Sequence, residues 1–387
     1  MNFEQLIKLL PQESLDFISA ETKVDHQVKK LSGLVIFKLI LYSMLNSQKL
    51  SLRIMESYVS SAQFKQLAGT DFTTKYNSIR DRICTINASY FEQLFSQIFT
   101  TYNAYLKEEK ALVKADSTYV RIAAKLVDWS MENGTNKTKK LQHKQVKFSV
   151  LLKGSLPCHV KIYTSKEFIN ENLALVEAIE TAEHIKESVV VFDRGIQSRS
   201  KFDSFTKKDM LFVGRLLTKS RYHVVKSHEI KASENLNTGI KLTEDLEVYL
   251  TGKNSKKTTS TYRLIKGLIN EGKDEIWFVT NHFQASAHEI AQIYRDRWEI
   301  EIFFKFLKQH LNFNHIVCRN ENGIKVMLYM TMILAILILT YKKTNKIAGF
   351  KIAKLKFELE LDRQITKEIV ILCGGDPDKA PHLWNGT

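Results

Sequence analysis

Apolar residues in the first hundred positions recur at spacings of three and four. They run Phe3-Leu6-Ile7-Leu10, then Leu31 to Leu45, Ile54-Tyr58, Phe64-Leu67 and Phe91 to Phe99. Short polar breaks such as Asn46-Ser47-Gln48 and Thr73-Thr74-Lys75 separate these runs, so residues 1–105 are expected to form an all-helical domain. From Ala111 the period changes. Ala111 to Ile122 reads as a strand that ends at or passes through Asp116, and a basic loop at 136–140 follows. Val146 to Leu152 and Cys158 to Tyr163 form a hairpin turning at Gly154. A helix over 171–179, a buried strand ending on Asp193, a second helix and a strand over 210–216 complete the order β-β-β-α-β-α-β. Residues 217–275 alternate short β-like runs with Lys- and Ser-rich loops, read as a β-rich insertion. The run Val326–Leu339 is shorter than the ~20 residues that span a bilayer, and it is expected as a buried helix closing one side of the sheet.

Composition narrows the class. With 387 residues the chain is too long for one simple core, and two or three domains are expected. The net charge of +15 points to an anionic partner, with nucleic acid ahead of a membrane. Lys29, Lys30, Arg53, Lys65, Lys75, Arg80 and Arg82 give the helical region a basic surface suited to DNA docking, although an accessory or dimerisation role fits the same composition. Four widely spaced cysteines without a Cys-x-x-Cys pair suit a reducing cytosol and argue against zinc or a disulfide framework. The first residues do not read as a signal peptide.

The chemistry concentrates in Ile293 to Lys308, which lacks Gly and Pro and reads as one helix. With about 100° per residue, Tyr294, Arg297, Glu301 and Lys308 fall within an arc of roughly 60°. Ile293, Ile300, Phe303, Phe304 and Leu307 occupy a core-facing flank, whereas Glu299 lies well away from the stripe. A carboxylate, two cations and a phenol on one stripe suit a metal-bound phosphate site. A surface ion-pair ladder from Arg297 to Glu301 would also account for the stripe alone.

The spacing Tyr-x2-Arg-x3-Glu-x6-Lys resembles the signature helix of IS4-family bacterial transposases, at Tyr294, Arg297, Glu301 and Lys308. The Asp116-Ser117-Thr118 and Asp193-Arg194-Gly195 contexts also look like that family's first and second catalytic aspartates. The resemblance implies an α/β fold: an RNase H-like mixed sheet flanked by helices, with a β-rich insertion before the last catalytic helix and an all-helical N-terminal domain. The expected domains are 1–105 for DNA binding, 106–345 for catalysis with the insertion at 217–275, and a tail at 346–387 read first as a helix with a disordered end and second as a surface for protein contact.

The resemblance further implies cut-and-paste transposition by Asp116, Asp193 and Glu301. If these carboxylates converge, they can hold two divalent ions about 3.5–4 Å apart, Mg2+ by preference with Mn2+ as substitute. Tyr294, Arg297 and Lys308, helped by Arg194 and Arg215, would bind backbone phosphates without reading sequence. The expected partners are double-stranded DNA, as terminal inverted repeats and target, and a second copy of the chain on that DNA. The expected location is the bacterial cytoplasm at the nucleoid, with no membrane. Two alternatives stay open: a non-catalytic DNA-binding descendant and an RNase H-like nuclease. Trp277 is read either as a stacking platform for an extruded base or as a buried strand residue.

Overall fold

The computed structural model describes residues 12–384 except 48, 108–111, 123–130, 133–143, 231–238, 253–254, 312, 314–316 and 319. The expected opening run Phe3–Leu10, the start of the first strand at Ala111 and the basic loop at 136–140 lie outside the described residues. The chain packs as two units, one of residues 1–108, 120–145 and 305–387, the other of 109–119 and 146–304.

The first unit is largely helical. Helices α1 (Gln12–Thr22), α2 (Gly33–Asn46), α3 (Leu52–Val59), α4 (Ala62–Ala68), α5 (Tyr76–Thr85) and α6 (Ala88–Leu106) follow the three-and-four spacing. Ser32, Ser51 and Ser61 accept backbone N–H bonds at the starts of α2, α3 and α4, which explains why polar breaks stand where each helix begins. Part of the basic surface read from composition is spent internally. Arg82 donates to the carbonyls of Leu31 (2.8 Å) and Val24 (2.7 Å), and Lys65, Lys75 and Arg80 pair with Asp71, Glu56 and Asp81.

The apolar run near the C-terminus is longer than expected, and buried as expected. It belongs to a helix of 24 residues, Glu321–Thr344, long enough to cross a membrane and almost wholly buried inside the protein. It packs against α2, α5, α6 and the helix Phe350–Leu372, and so forms the core of the helical unit. An all-round apolar surface predicts burial but does not say against what. Asn320 caps it and also donates to the Cys84 carbonyl (2.8 Å), while Asn322 donates to that of Ile86 (2.7 Å).

The sheet has ten strands among the described residues: β1 (Leu112–Ile122), β2 (Met131–Glu132), β3 (Lys144–Lys153), β4 (Leu156–Tyr163), β5 (Val189–Phe192), β6 (Leu211–Leu216), β7 (Tyr222–His228), β8 (Lys241–Leu250), β9 (Tyr262–Ile269) and β10 (Asp274–Thr280). The order runs β3-β1-β5-β6-β10-β9-β8-β7, with β4 beside β3 and β2 pairing the start of β3. Strands β3 and β4 are antiparallel around Gly154, whose φ of 58 suits the tight turn. Strands β1, β5 and β6 are parallel, joined through α7 (Glu171–Glu180) and α8 (Arg199–Lys207). This order and polarity make the RNase H-like core that the family resemblance implies. The β-rich stretch after β6 does not stand apart. It returns through β10, which pairs antiparallel with β6, so the insertion lengthens the same sheet.

Two apolar contacts position the site. Helix α9 (Ala287–Asp296), opened by a Ser286/Glu289 capping box, lays Ile290, Ala291 and Tyr294 on Leu112 of β1, Val191 of β5, Val213 of β6 and Phe278 of β10. Phe192, Phe202, Phe205 and Phe212 form a separate aromatic cluster between β5, β6 and α8. The turn into α9 is anchored by Arg263 of β9, which forms a buried bidentate pair with Asp245 of β8 and donates to the Ala285 carbonyl.

Candidate active site

Asp116 stands in the middle of β1, so the strand passes through it, and Asp193 follows the last residue of β5. Because β1 and β5 are parallel, with Ala115 opposite Phe192, the next residue of each strand places the two aspartates side by side. Glu301 comes from helix α10 (Trp298–His310). All three acidic residues are half-buried.

Arg297 ties the set together. Its Nη2 donates to Glu301 Oε1 at 2.6 Å, and its Nη1 lies 3.8 Å from Asp116 Oδ2. The guanidinium sits 5.5 Å from the centre of the Tyr294 ring, and the Tyr294 hydroxyl donates to Asp193 Oδ1 at 2.7 Å. Asp116 also accepts the Ser117 N–H at 2.7 Å. Arg215 on β6 approaches Asp193 Oδ1 at 3.9 Å. The two side chains expected to face DNA phosphates, Tyr294 and Arg297, are thus buried and engaged with the carboxylates. Arg194 and Lys308 are exposed, Arg194 directly after Asp193 and Lys308 on α10.

The helix expected to run unbroken through this motif is interrupted at Arg297, between α9 and α10. Arg297 keeps helical backbone angles, but the ladder tightens to i→i+3 bonds: Arg297 N–H to the Tyr294 carbonyl and Ile300 N–H to that of Arg297.

Burial alone would raise the Asp193 pKa. The Tyr294 hydroxyl, Arg297, the Arg194 N–H and Arg215 outweigh it and hold the carboxyl below its ordinary value. Burial, with Asp193 adjacent, pushes the Tyr294 phenol up to about 12, so it remains a donor at neutral pH. Burial opposes the Arg297 charge, but Glu301 and Asp193 more than restore it.

Lys114 and Glu299 were not singled out from the sequence. Lys114 Nζ, almost fully buried on β1, pairs with Glu299 Oε2 at 2.6 Å and donates to the Gly154 carbonyl at 2.7 Å. The available signal was a lysine two residues before Asp116 in an otherwise buried strand, where a charge requires a partner. Trp277 lies buried on β10, edge-on to Tyr222 with the Lys266 ammonium over its ring.

An RNase H-like sheet that brings two aspartates and a glutamate onto one arginine–tyrosine pair has the layout of a DDE domain. The chain belongs to the transposase DDE domain family, whose model matches residues 109–338, more than half of its length. Residues 2–69 match a domain of unknown function, DUF4372. Among relatives, a transposase named for insertion sequence element IS4SA of Synechocystis sp. is 30% identical over 249 residues, which is 62% of this chain and 63% of that protein. One named for element IS5377 of Geobacillus stearothermophilus is 28% identical over 253 residues, 65% of this chain and 62% of that protein. The matches thus span less than two thirds of these relatives. A solved piggyBac transposase synaptic complex with hairpin DNA aligns over 99% of this chain and 84% of that one, with a TM-score of 0.47 and 10% identity.

A DDE domain implies dependence on a divalent metal. Two aspartates and a glutamate are hard oxygen donors of the right kind. Among the described residues no three acidic, His or Cys side chains converge at metal-holding distance, and the Arg297 guanidinium stands between Asp116 and Glu301 as their countercharge. The donor chemistry fits a divalent ion.

Proposed function

We propose that this chain is a DDE transposase that cuts an insertion sequence from double-stranded DNA at its terminal inverted repeats and joins it to a target. The observation that carries the reading is the meeting of Asp116 and Glu301 on one guanidinium, whose neighbour Tyr294 holds Asp193. These residues are spread over more than 180 positions of sequence, and a surface ion-pair ladder gives no reason for Asp116 and Asp193 to join it.

Asp116, Asp193 and Glu301 would hold the metal, Mg2+ with Mn2+ able to substitute. When bound, divalent ions of this kind activate the attacking oxygen and stabilise the leaving one. Tyr294 and Arg297 set the spacing of the carboxylates and hold Asp193 in its ionised form. Arg194, Arg215 and Lys308 supply positive charge for backbone phosphates, contacts that fix register without reading sequence. Helices within residues 1–105 are assigned to end recognition, the catalytic domain to 106–345 and protein contact to 346–387. Two element ends require two active sites, which calls for a dimer on DNA.

The test is strand transfer. Precleaved ends with free 3′-hydroxyls, carrying the repeats that flank the coding sequence, should be joined to plasmid DNA when divalent metal is added. Cleavage without any joined product would assign the chain to nucleases, and binding with neither reaction would make it a non-catalytic descendant.

A further inference from the structure

A groove of about 1240 Å3 has Gly195, two residues after Asp193, on its wall. Three segments build it: the loop and first turns of α8, the turn after β6, and the described residues of the β8–β9 turn. It exceeds the ~300–1,000 Å3 typical of small-ligand clefts. Arg199, Lys207, Lys219, Arg221, Lys256 and Lys257 line it, and none is ion-paired among the described residues. A further lysine on the wall, Lys208, is held by Glu180 at 3.2 Å. The wall's carboxylate, Asp203, is already spent on the Thr259 N–H (2.9 Å), the Ser260 N–H (3.2 Å) and the Tyr262 hydroxyl (2.8 Å).

The groove is tied to the active site through Gln197. Its Nε2 donates to the Arg215 carbonyl at 2.9 Å, and its own carbonyl accepts Arg199 Nη1 at 2.6 Å. Arg199 Nη2 donates to Ser220 Oγ at 2.9 Å, while its buried Nε has no partner among the described residues. The Thr251 N–H donates to the Arg221 carbonyl at 2.9 Å, which joins two of the walls.

We propose that this groove carries the phosphate backbone of DNA on the side of the scissile phosphate away from the terminal repeat. The proposal rests on the transposase reading above. Cations strung along three segments suit a polyanion, and the many Ser and Thr hydroxyls of the wall supply neutral donors to phosphate oxygens. Among the described residues no aromatic side chain lines the groove, so they offer no platform for base stacking. Such a surface binds DNA without reading it, which is what flanking and target DNA of changing sequence requires.

The test compares wild type with K219A/R221A/K256A/K257A, four exposed positions outside the carboxylate site, on DNA ends with and without about one helical turn of flanking duplex. A matching thermal melt checks that the variant is folded. Wild type should bind more tightly when the flank is present, whatever its sequence. The variant should lose most of that gain, and its slope of log K against log salt should fall by about 3.6, near 0.9 for each of four lost phosphate contacts. A variant that keeps the full gain and slope, or a wild type that gains nothing from the flank, overturns the groove alone. A wild type that neither binds nor cleaves any DNA overturns the transposase reading with it.

Discussion

Lys114 and Glu299 form an ion pair of 2.6 Å that joins β1 to α10, each standing two residues before the acid its element brings to the site. Lys114 is almost fully buried, while Glu299 is more than half exposed, at 56% of its side chain. The pair is therefore asymmetric. Glu299→Gln leaves the buried ammonium with neutral acceptors and no countercharge, and uncompensated buried charge is costly. Lys114→Met fills similar volume and leaves Glu299 free to be solvated. We expect Glu299→Gln to cost about 2 kcal/mol, below the ~3–5 of a fully buried pair, and Lys114→Met less than about 1 kcal/mol. Urea unfolding of both variants measures this, and the reverse ranking would contradict it.

Tyr294→Phe removes a donor to an ionised acceptor. Because Asp193 is held below its ordinary pKa, its contribution to stability is present above the unfolded-state value, near 3.9, and is lost as pH falls through the lower folded value. Hydrogen bonds to charged groups contribute about 1.5–3 kcal/mol, discounted here to about 1 because Asp193 is partly exposed. The variant should be less stable by that amount at pH 7, with the gap closing below pH ~4. Unfolding free energies at pH 7 and pH 3 check this, and an equal gap at both would mean the bond is not charge-assisted.

Gly214 lies opposite Phe192 on the neighbouring parallel strand, and a Cβ there would come within 2.4 Å of the Phe192 ring. Phe192 precedes Asp193, and Arg215 follows Gly214. Gly214→Ala should therefore cost about 1–3 kcal/mol by overpacking and disturb the Asp193–Arg215 approach. Trimming the ring in G214A/F192L should recover part of the loss. A double variant no more stable than G214A would place the strain elsewhere.

Much of the site was legible because its spacing follows backbone periods. Tyr294, Arg297 and Glu301 were placed together by the helix repeat, which put Lys308 on the same stripe, and Asp116 and Asp193 were picked out by the family resemblance of their contexts. Lys114–Glu299 was not, because the same repeat turned Glu299 away from the stripe and could not show that β1 runs past its other side. The interruption at Arg297 follows no Gly or Pro and left no mark in the sequence. The insertion was visible as strands, but its return to β6 through β10 depends on edge pairing between segments about 60 residues apart, as Trp277 opposite Leu216 illustrates.

The central claim is that Asp116, Asp193 and Glu301 act as one metal-holding set. Nicking of DNA that carries the flanking repeats, measured with and without Mg2+ alongside end binding, tests it most directly. Wild type should nick only with the divalent ion, and Asp116→Asn, Asp193→Asn and Glu301→Gln should each abolish nicking while end binding is largely kept. Undiminished nicking by any one of the three, or equal nicking without divalent metal, would contradict the account.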